Sequence, residues 1–438
     1  MKKFITTIRN IFSIEELRTR ILNTLGFLII FRLGSFIVLP GVNPDQLPES
    51  ADGIFGLLDS FLGGAFNNAA IFGLGIMPYI SASIVVQLLT IAIPHFQRLQ
   101  KEGESGRKRL TQITRVLTII ITLGQSIGYL TAYIPGEAVV VDPLFFKISS
   151  AIILTSGTMF CMWLGERITD KGIGNGISML IMIGIISRFP NSLIFEFTSK
   201  GDQGGIILFV LEMVALFFVV MAVVALTKAV RRIPVNYAKA HVSGGRAYGG
   251  QRQYIPLKVN SSGVMPIIFA QALMFLPALF AQPFQDTDLG NYFITTFSNY
   301  QTPVYNITFA ILIILFTFFY TAITVNPTEI ADGLKRNGGF IPGVKPGKET
   351  SEYLDSVLTK ITLPGSIFLA IVAILPAFAT LAGVSPMFSQ FYGGTSLLIM
   401  VGVILDTLQQ IESYLLMRHY EGLMKSGKVK GRSEAAVV

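Results

Sequence analysis

The chain has 438 residues, of which 51% are hydrophobic and 14% are charged, against about 25% charged residues in an average soluble domain. Its mean hydropathy of +0.61 excludes a water-soluble fold, because no single core could enclose that much apolar surface. The net charge is +8. One cysteine and three scattered histidines argue against a disulfide and a metal site, and we expect no cofactor.

Residues 1–20 form a basic, amphipathic segment that no signal-peptide cleavage site follows. Beyond it, about ten stretches are long and apolar enough to cross a bilayer as helices. They lie at 21–40, 69–94, 113–133, 148–165, 173–190, 205–227, 263–282, 304–325, 361–382 and 395–416.

The loops between these stretches alternate in charge. Lys and Arg are concentrated in residues 1–20, in the loops 95–110, 228–260 and 326–360, and in the tail 417–438, while 41–53, 134–143, 283–303 and 383–394 contain neither. Lys200, in the loop 190–204, is an exception. Because positively charged short loops stay on the cytoplasmic side, both termini are predicted to be cytoplasmic.

The stretch 54–66 is apolar but too short to span, and Gly63-Gly64 interrupts it. Such a segment is typical of a re-entrant loop, although a surface-lying turn would have the same pattern. Five spans lie in residues 21–200 and five in 201–416. An odd number in each half predicts two halves of inverted orientation.

Several segments together resemble the SecY family, the channel subunits of the bacterial Sec protein translocon. They are FRLGSFIVLPGV (31–42), IFGLGIMPYISASIVVQLLT (71–90), MWLGERITDKGIGNGIS (162–178), RRIPVNYAKA (231–240), YIPLKVNSSGVMPIIFA (254–270) and FYGGTSLLIMVGVILDTL (391–408). The resemblance implies an all-α polytopic membrane protein with ten transmembrane helices in two inverted five-helix halves. These halves would surround a central hourglass pore that a short re-entrant plug helix closes.

The resemblance also assigns candidate residues to the pore. A ring of aliphatic side chains at the waist would comprise Ile76, Ile80, Ile177, Ile181, Ile268 and Ile399. The plug, at about 54–68, would include Phe55, Leu58, Phe61, Gly63 and Gly64. Gln87, Thr114 and Asn260 would hold the lateral gate closed, although ordinary interhelical hydrogen bonds would use the same side chains. The pairs 76/80 and 177/181 are each spaced so that both members share a helix face.

The two long basic loops would bind the partners that drive translocation. The loop 228–260 has no acidic residue, which favours ribosomal RNA phosphates, an acidic protein surface or anionic lipids. Our candidates for contact with the ribosome or the SecA ATPase are Arg246, Arg252, Lys258 and Lys345. Lys345 stands where the family usually has arginine, so it lacks the planar fork that binds carboxylates.

The resemblance implies no enzymatic activity. Expected partners are SecE-like and SecG-like small subunits, signal peptides, unfolded secretory proteins and membrane lipids, with SecDF-like and YidC-like proteins as accessory factors. The chain would pass secretory polypeptides across the membrane and release transmembrane segments sideways into it. The alternative, a secondary transporter for a small solute or ion, would use charges within the spans, for which we identify Arg32 and Asp406.

Overall fold

The protein is described by a computed structural model that covers residues 12–48, 59, 62–201, 205–237, 242–243, 246–247, 253–281 and 287–425. The chain divides into two compact units. Unit 1 comprises Met1–Ala51, Leu58–Ser187 and Val403–Val438, and unit 2 comprises Asp52–Leu57 and Arg188–Gly402.

Unit 1 is built from long helices. They are α1 (Glu15–Gly34), α2 (Met77–Ala92), α3 (Pro94–Lys101), α4 (Glu104–Ala132), α5 (Pro143–Lys171) and the first part of α6 (Gly176–Gly201). Proline and capping residues fix several of their ends: the Asp142 side chain accepts a hydrogen bond from the backbone N–H of Leu144, and Pro143 occupies the first helical position. Pro94, which has no N–H to donate, separates α2 from α3 at a bend of 100°.

Unit 2 contains both helices and strands. The helices are α7 (Ile206–Lys228), α8 (Met265–Ala281), α9 (Asp288–Ser298), α10 (Pro303–Thr324), α11 (Pro327–Arg336), α12 (Lys348–Leu381) and α13 (Pro386–Ser389), and α14 (Gly394–Lys425) begins here and continues into unit 1. The strands are β1 (Val230–Tyr237), β2 (Val242–Ser243), β3 (Arg246–Ala247), β4 (Gln253–Lys258) and β5 (Gly339–Phe340).

The helical architecture confirms the predicted fold class. Among the described residues, seven helices are long and apolar enough to cross a membrane, or eight if the bent pair α2–α3 is one span. The helices α1 and α8 coincide with the two remaining predicted spans, so the described helices are consistent with ten.

Several predicted boundaries differ from the structure by five residues or more, and two of these differences affect the regions of functional interest. The stretch 69–94 is helical only from Met77, because the glycine-rich residues 62–76 form buried turns instead. The second difference is at α12, which begins at Lys348, inside the predicted loop 326–360. Its 34 residues would extend over about 51 Å. That is longer than a bilayer core of about 30 Å requires.

The long basic loops contain a folded module that the sequence did not predict. Strand β1 pairs antiparallel with β4, placing Ile233 opposite Ile255, and with β5, placing Asn236 opposite Phe340. A small apolar core joins this sheet to α11 and to the start of α12 and contains Ile233, Val235, Leu257, Leu334, Ile341, Leu354 and Leu358. We call residues 230–237, 253–258 and 327–361 the basic-loop module.

Candidate functional site

Three of the six predicted ring residues line one pocket in unit 1. Ile76 is the residue before α2, Ile80 lies on α2 and Ile181 lies on α6, and all three are buried. Phe31, Leu62, Met77 and Leu180 complete a narrow pocket of about 10 Å³. All seven lining side chains are apolar, so none of them offers water a strong hydrogen bond.

The fourth ring residue of unit 1 lies elsewhere. Ile177 is half-buried and packs against Gly165 of α5. A Cβ atom added to Gly165 would lie only 3.0 Å from the Cγ1 atom of Ile177. The close approach of α5 and α6 explains this placement, because a Cβ on Gly176 would come within 1.9 Å of the Gly165 carbonyl oxygen. Ile177 therefore packs at the α5–α6 contact, one turn before Ile181.

The other two ring residues belong to unit 2. Ile268 on α8 and Ile399 on α14 are both buried. Each lies three residues from a side chain, Gln271 or Ser396, that lines a second pocket of about 40 Å³. A common axis for all six isoleucines stays a prediction.

The segment 62–76 connects toward α2 through turns rather than a helix. Gly63 and Gly64 have φ values of +62° and +96°, a region that glycine enters without strain. Leu62, Ala65 and Phe66 are buried. Much of the irregular backbone in this segment is thus enclosed by protein, the arrangement that a re-entrant segment would require. The predicted plug residues Phe55, Leu58 and Phe61 lie outside the described residues.

The lateral-gate candidates make short-range hydrogen bonds. Gln87 Nε2 donates to Ser83 Oγ at 3.4 Å within α2. The Thr114 hydroxyl donates to the Leu110 carbonyl at 2.9 Å within α4. The buried Asn260 accepts from the hydroxyl of Ser262 at 3.2 Å. Their role in a gate stays a prediction.

Two of the four candidates for partner contact, Lys258 and Lys345, lie in the basic-loop module. Lys258 ends β4 and is exposed. Lys345 is 84% exposed, and its ammonium lies 3.4 Å from Glu349, a pairing too solvated to hold it firmly. Arg246 lies in β3, opposite Ser243. Arg252 lies outside the described residues.

Sequence reasoning missed a largely buried ion cluster in unit 2. The Lys200 ammonium donates to the Gly383 carbonyl at 2.8 Å and lies 3.3 Å from Glu212 and 3.9 Å from Glu196. Glu196 is fully buried, and its second oxygen accepts the backbone N–H of Ser385 at 3.1 Å. We call these residues the Lys200 cluster.

The Lys200 cluster corrects one prediction and explains another. Arg32 and Asp406 are not the only charges within the predicted spans, because Arg115, Arg188, Glu212 and Glu412 also lie inside them. Lys200 departs from the charge alternation of the loops because two carboxylates and a carbonyl surround its ammonium. A chain-order scan does not reveal this, since the partners are separated by as many as 183 residues.

The chain matches known proteins along nearly its whole length. The sequence model of the SecY family matches residues 70–408. A protein translocase subunit SecY from Halalkalibacterium halodurans is 45% identical over 436 residues, covering 96% of this chain and 99% of the relative. One from Streptomyces galbus is 43% identical over 441 residues, covering 96% and 100%.

Solved structures share the fold at lower identity. A protein-conducting channel has a TM-score of 0.65 at 18% identity and covers 90% of this chain and 92% of its own. Sec61 from the canine ribosome–channel complex of the endoplasmic reticulum has a TM-score of 0.61 at 17% identity, with the same coverage. With the family match across residues 70–408 and two near-full-length relatives above 40% identity, the chain belongs to the SecY family.

Proposed function

We propose that the chain is the central subunit of a Sec protein-conducting channel and has no enzymatic activity. It passes unfolded secretory polypeptides across the membrane and releases signal peptides and transmembrane segments into the lipid. The observation that carries this proposal is the similarity to protein translocase subunits over 96% of the chain. A secondary transporter is not favoured, because those relatives are protein translocase subunits.

In this proposal the six isoleucines close the pore at rest. The apolar pocket around Ile76, Ile80 and Ile181 supports it, because a narrow apolar constriction loses its water and then blocks ions. Isoleucine side chains form no hydrogen bonds, so they do not grip the polar backbone of a passing polypeptide. The segment 54–68 acts as the plug, and Gln87, Thr114 and Asn260 stabilise the closed lateral gate.

The sorting of segments in this channel follows from their solubility. An apolar helix gains free energy when it leaves an aqueous pore for lipid, while a secreted polar segment does not. A channel that opens sideways therefore needs no chemical step to separate the two.

The partners proposed for this channel act on its basic loops. The similarity to a ribosome-bound channel supports docking of a ribosome, and we extend this to the SecA ATPase. SecE-like and SecG-like subunits would complete the channel, and both termini would face the cytoplasm of a bacterial inner membrane.

The test is reconstitution. Vesicles that contain the chain with its small subunits, SecA and ATP should take up a secretory precursor and protect it from added protease. Vesicles without the chain serve as the control. A precursor that stays fully accessible in the complete system would contradict the proposal, and uptake of a small solute instead would favour the transporter.

Charge reversal tests the loop contacts. Arg246→Glu together with Arg252→Glu should weaken binding of ribosomes or SecA, most strongly at low salt, because phosphate and carboxylate contacts are screened by ions. Lys147→Glu, outside both loops, is the matched control. Equal binding by both variants at low salt would remove these arginines from the interface.

A further inference from the structure

Arg32 is a charged residue of the first predicted span, and the channel proposal leaves its role open. It lies in the last turn of α1, where the negative end of the helix dipole favours a cation. Its Nη1 atom donates to the Gly63 carbonyl at 2.9 Å, and its guanidinium lies 5.1 Å from the centre of the Phe36 ring. Arginine within a membrane is costly, so a fixed partner indicates a function.

Gly63 is held on several sides at this contact. Its φ of +62° favours glycine, and an added Cβ would lie 2.6 Å from Arg32 Nη1 and 2.7 Å from Ser187 Oγ. The same Cβ would lie 2.9 Å from the Cα atom of Gly184, so the backbone of α6 itself closes the space. The hydrogen bond from Arg32 thus holds a turn that already packs tightly against α6.

Two tyrosines at the end of α4 hold the next residues of the same segment, Phe66 and Asn67. The Tyr129 hydroxyl donates to the Phe66 carbonyl at 2.7 Å, and the Tyr133 hydroxyl lies 3.1 Å from Asn67 Oδ1. The Phe66 ring packs against both tyrosines, with centroids 4.6 and 4.7 Å apart. Of these anchors, Arg32 is the one that carries a formal charge and a forked set of donors.

We propose that Arg32 is a positioning residue of the closed channel, whose guanidinium fixes the backbone at Gly63 and so keeps residues 62–68 in place. The functional consequence rests on the proposed function, in which this segment is the base of the plug. Loss of the guanidinium frees the Gly63 carbonyl and lowers the barrier to displacement of the turn. Charged hydrogen bonds are strong enough that the local opening equilibrium should shift by about tenfold to a hundredfold.

The experiment compares Arg32→Gln with Arg20→Gln in the full chain reconstituted in vesicles. Arg20 is a matched control, because it lies on the same helix and its guanidinium also donates to a carbonyl, that of Gly172, at 3.3 Å. Amide hydrogen exchange followed by mass spectrometry reports on peptides covering 62–76. Arg32→Gln should speed exchange there by roughly tenfold or more, and Arg20→Gln should leave it unchanged.

Arg32→Lys is a second variant, in case Arg32→Gln does not insert into the membrane. It retains the positive charge. Its shorter, unforked side chain should give exchange between the native chain and Arg32→Gln. Resting ion leak through the same vesicles is the second measurement, and Arg32→Gln should raise it.

The outcomes separate the two proposals. Native exchange in the 62–76 peptides of Arg32→Gln, or equal acceleration by Arg20→Gln, would overturn the role of Arg32 whatever the leak. Faster exchange with no added leak would support the anchoring by Arg32 and count against the plug. Faster exchange with added leak supports both.

Discussion

Replacing Lys200 by methionine should destabilise unit 2 strongly. The change keeps much of the side-chain volume but removes the cation between Glu196, which is fully buried, and Glu212, whose side chain is 9% exposed. It also leaves the Gly383 carbonyl without its donor at 2.8 Å. Breaking a buried ion pair by removing one partner costs about 3–5 kcal/mol, because the remaining charge stays desolvated.

This cost should appear as a lower melting temperature of the detergent-solubilised protein. At about 2 °C per kcal/mol for a large chain, the expected fall is roughly 6–10 °C, measured by loss of the folded peak in size-exclusion chromatography after heating. Lys345→Met is the matched control. It removes an ion pair whose side chains are 84% and 55% exposed, and it should change stability by less than about 1 kcal/mol.

A second substitution shows whether charge is the cause. Adding Glu212→Gln to Lys200→Met removes one of the two uncompensated carboxylates, so the double variant should be more stable than Lys200→Met alone. If Lys200→Met melts within 1–2 °C (an approximate measurement error) of the native chain, or if Glu212→Gln lowers its stability further, the electrostatic reasoning fails.

Three further predictions concern the pocket, the turn and the basic-loop module. Ile80→Ser with Ile181→Ser should hydrate the apolar pocket and raise resting conductance in planar bilayers, and unchanged conductance would count against the ring. Gly63→Ala should reduce the yield of folded chain, because the backbone of α6 cannot move aside; a native yield would refute the close contact. Leu354→Ala should destabilise the basic-loop module by about 2–5 kcal/mol and speed amide exchange in β1, with native exchange as the contrary result.

The sequence predicted best what depends on hydrophobicity over long windows. Every predicted span overlaps a helix, because about 20 apolar residues have few other solutions in lipid. The start of α2 at Met77 was not predicted, because residues 69–76 are as apolar as a helix. Only the turn geometry of residues 69–76, with φ values of +45° at Ala69 and +51° at Gly75, distinguishes this stretch from a helix.

The basic-loop module was missed for a different reason. Its proline and glycine content is typical of an irregular loop, yet Ile233 and Val235 alternate with exposed residues in the manner of a strand. That alternation was a usable signal. The pairing of β1 with β5 was not, because it joins residues about a hundred positions apart.

The Lys200 cluster and the contact between Arg32 and Gly63 show a similar limit. Each depends on a side chain that reaches the backbone of a segment distant in the chain. Composition identifies the charge, and only the fold identifies its partner. The same holds for Ile177, whose spacing from Ile181 predicted a shared face but whose neighbour is Gly165.

The central place of β1 in its sheet has a mechanical consequence. Since β1 is hydrogen-bonded on one edge to β4 and on the other to β5, the loops before α8 and before α12 form a single rigid handle. A force applied to either loop is transmitted through shared backbone hydrogen bonds to the other. Because α12 is the element that follows β5 and extends to Leu381, a force on these loops also acts on this helix, where the internal prolines Pro364 and Pro376 each lack a backbone hydrogen bond and are the points most easily bent.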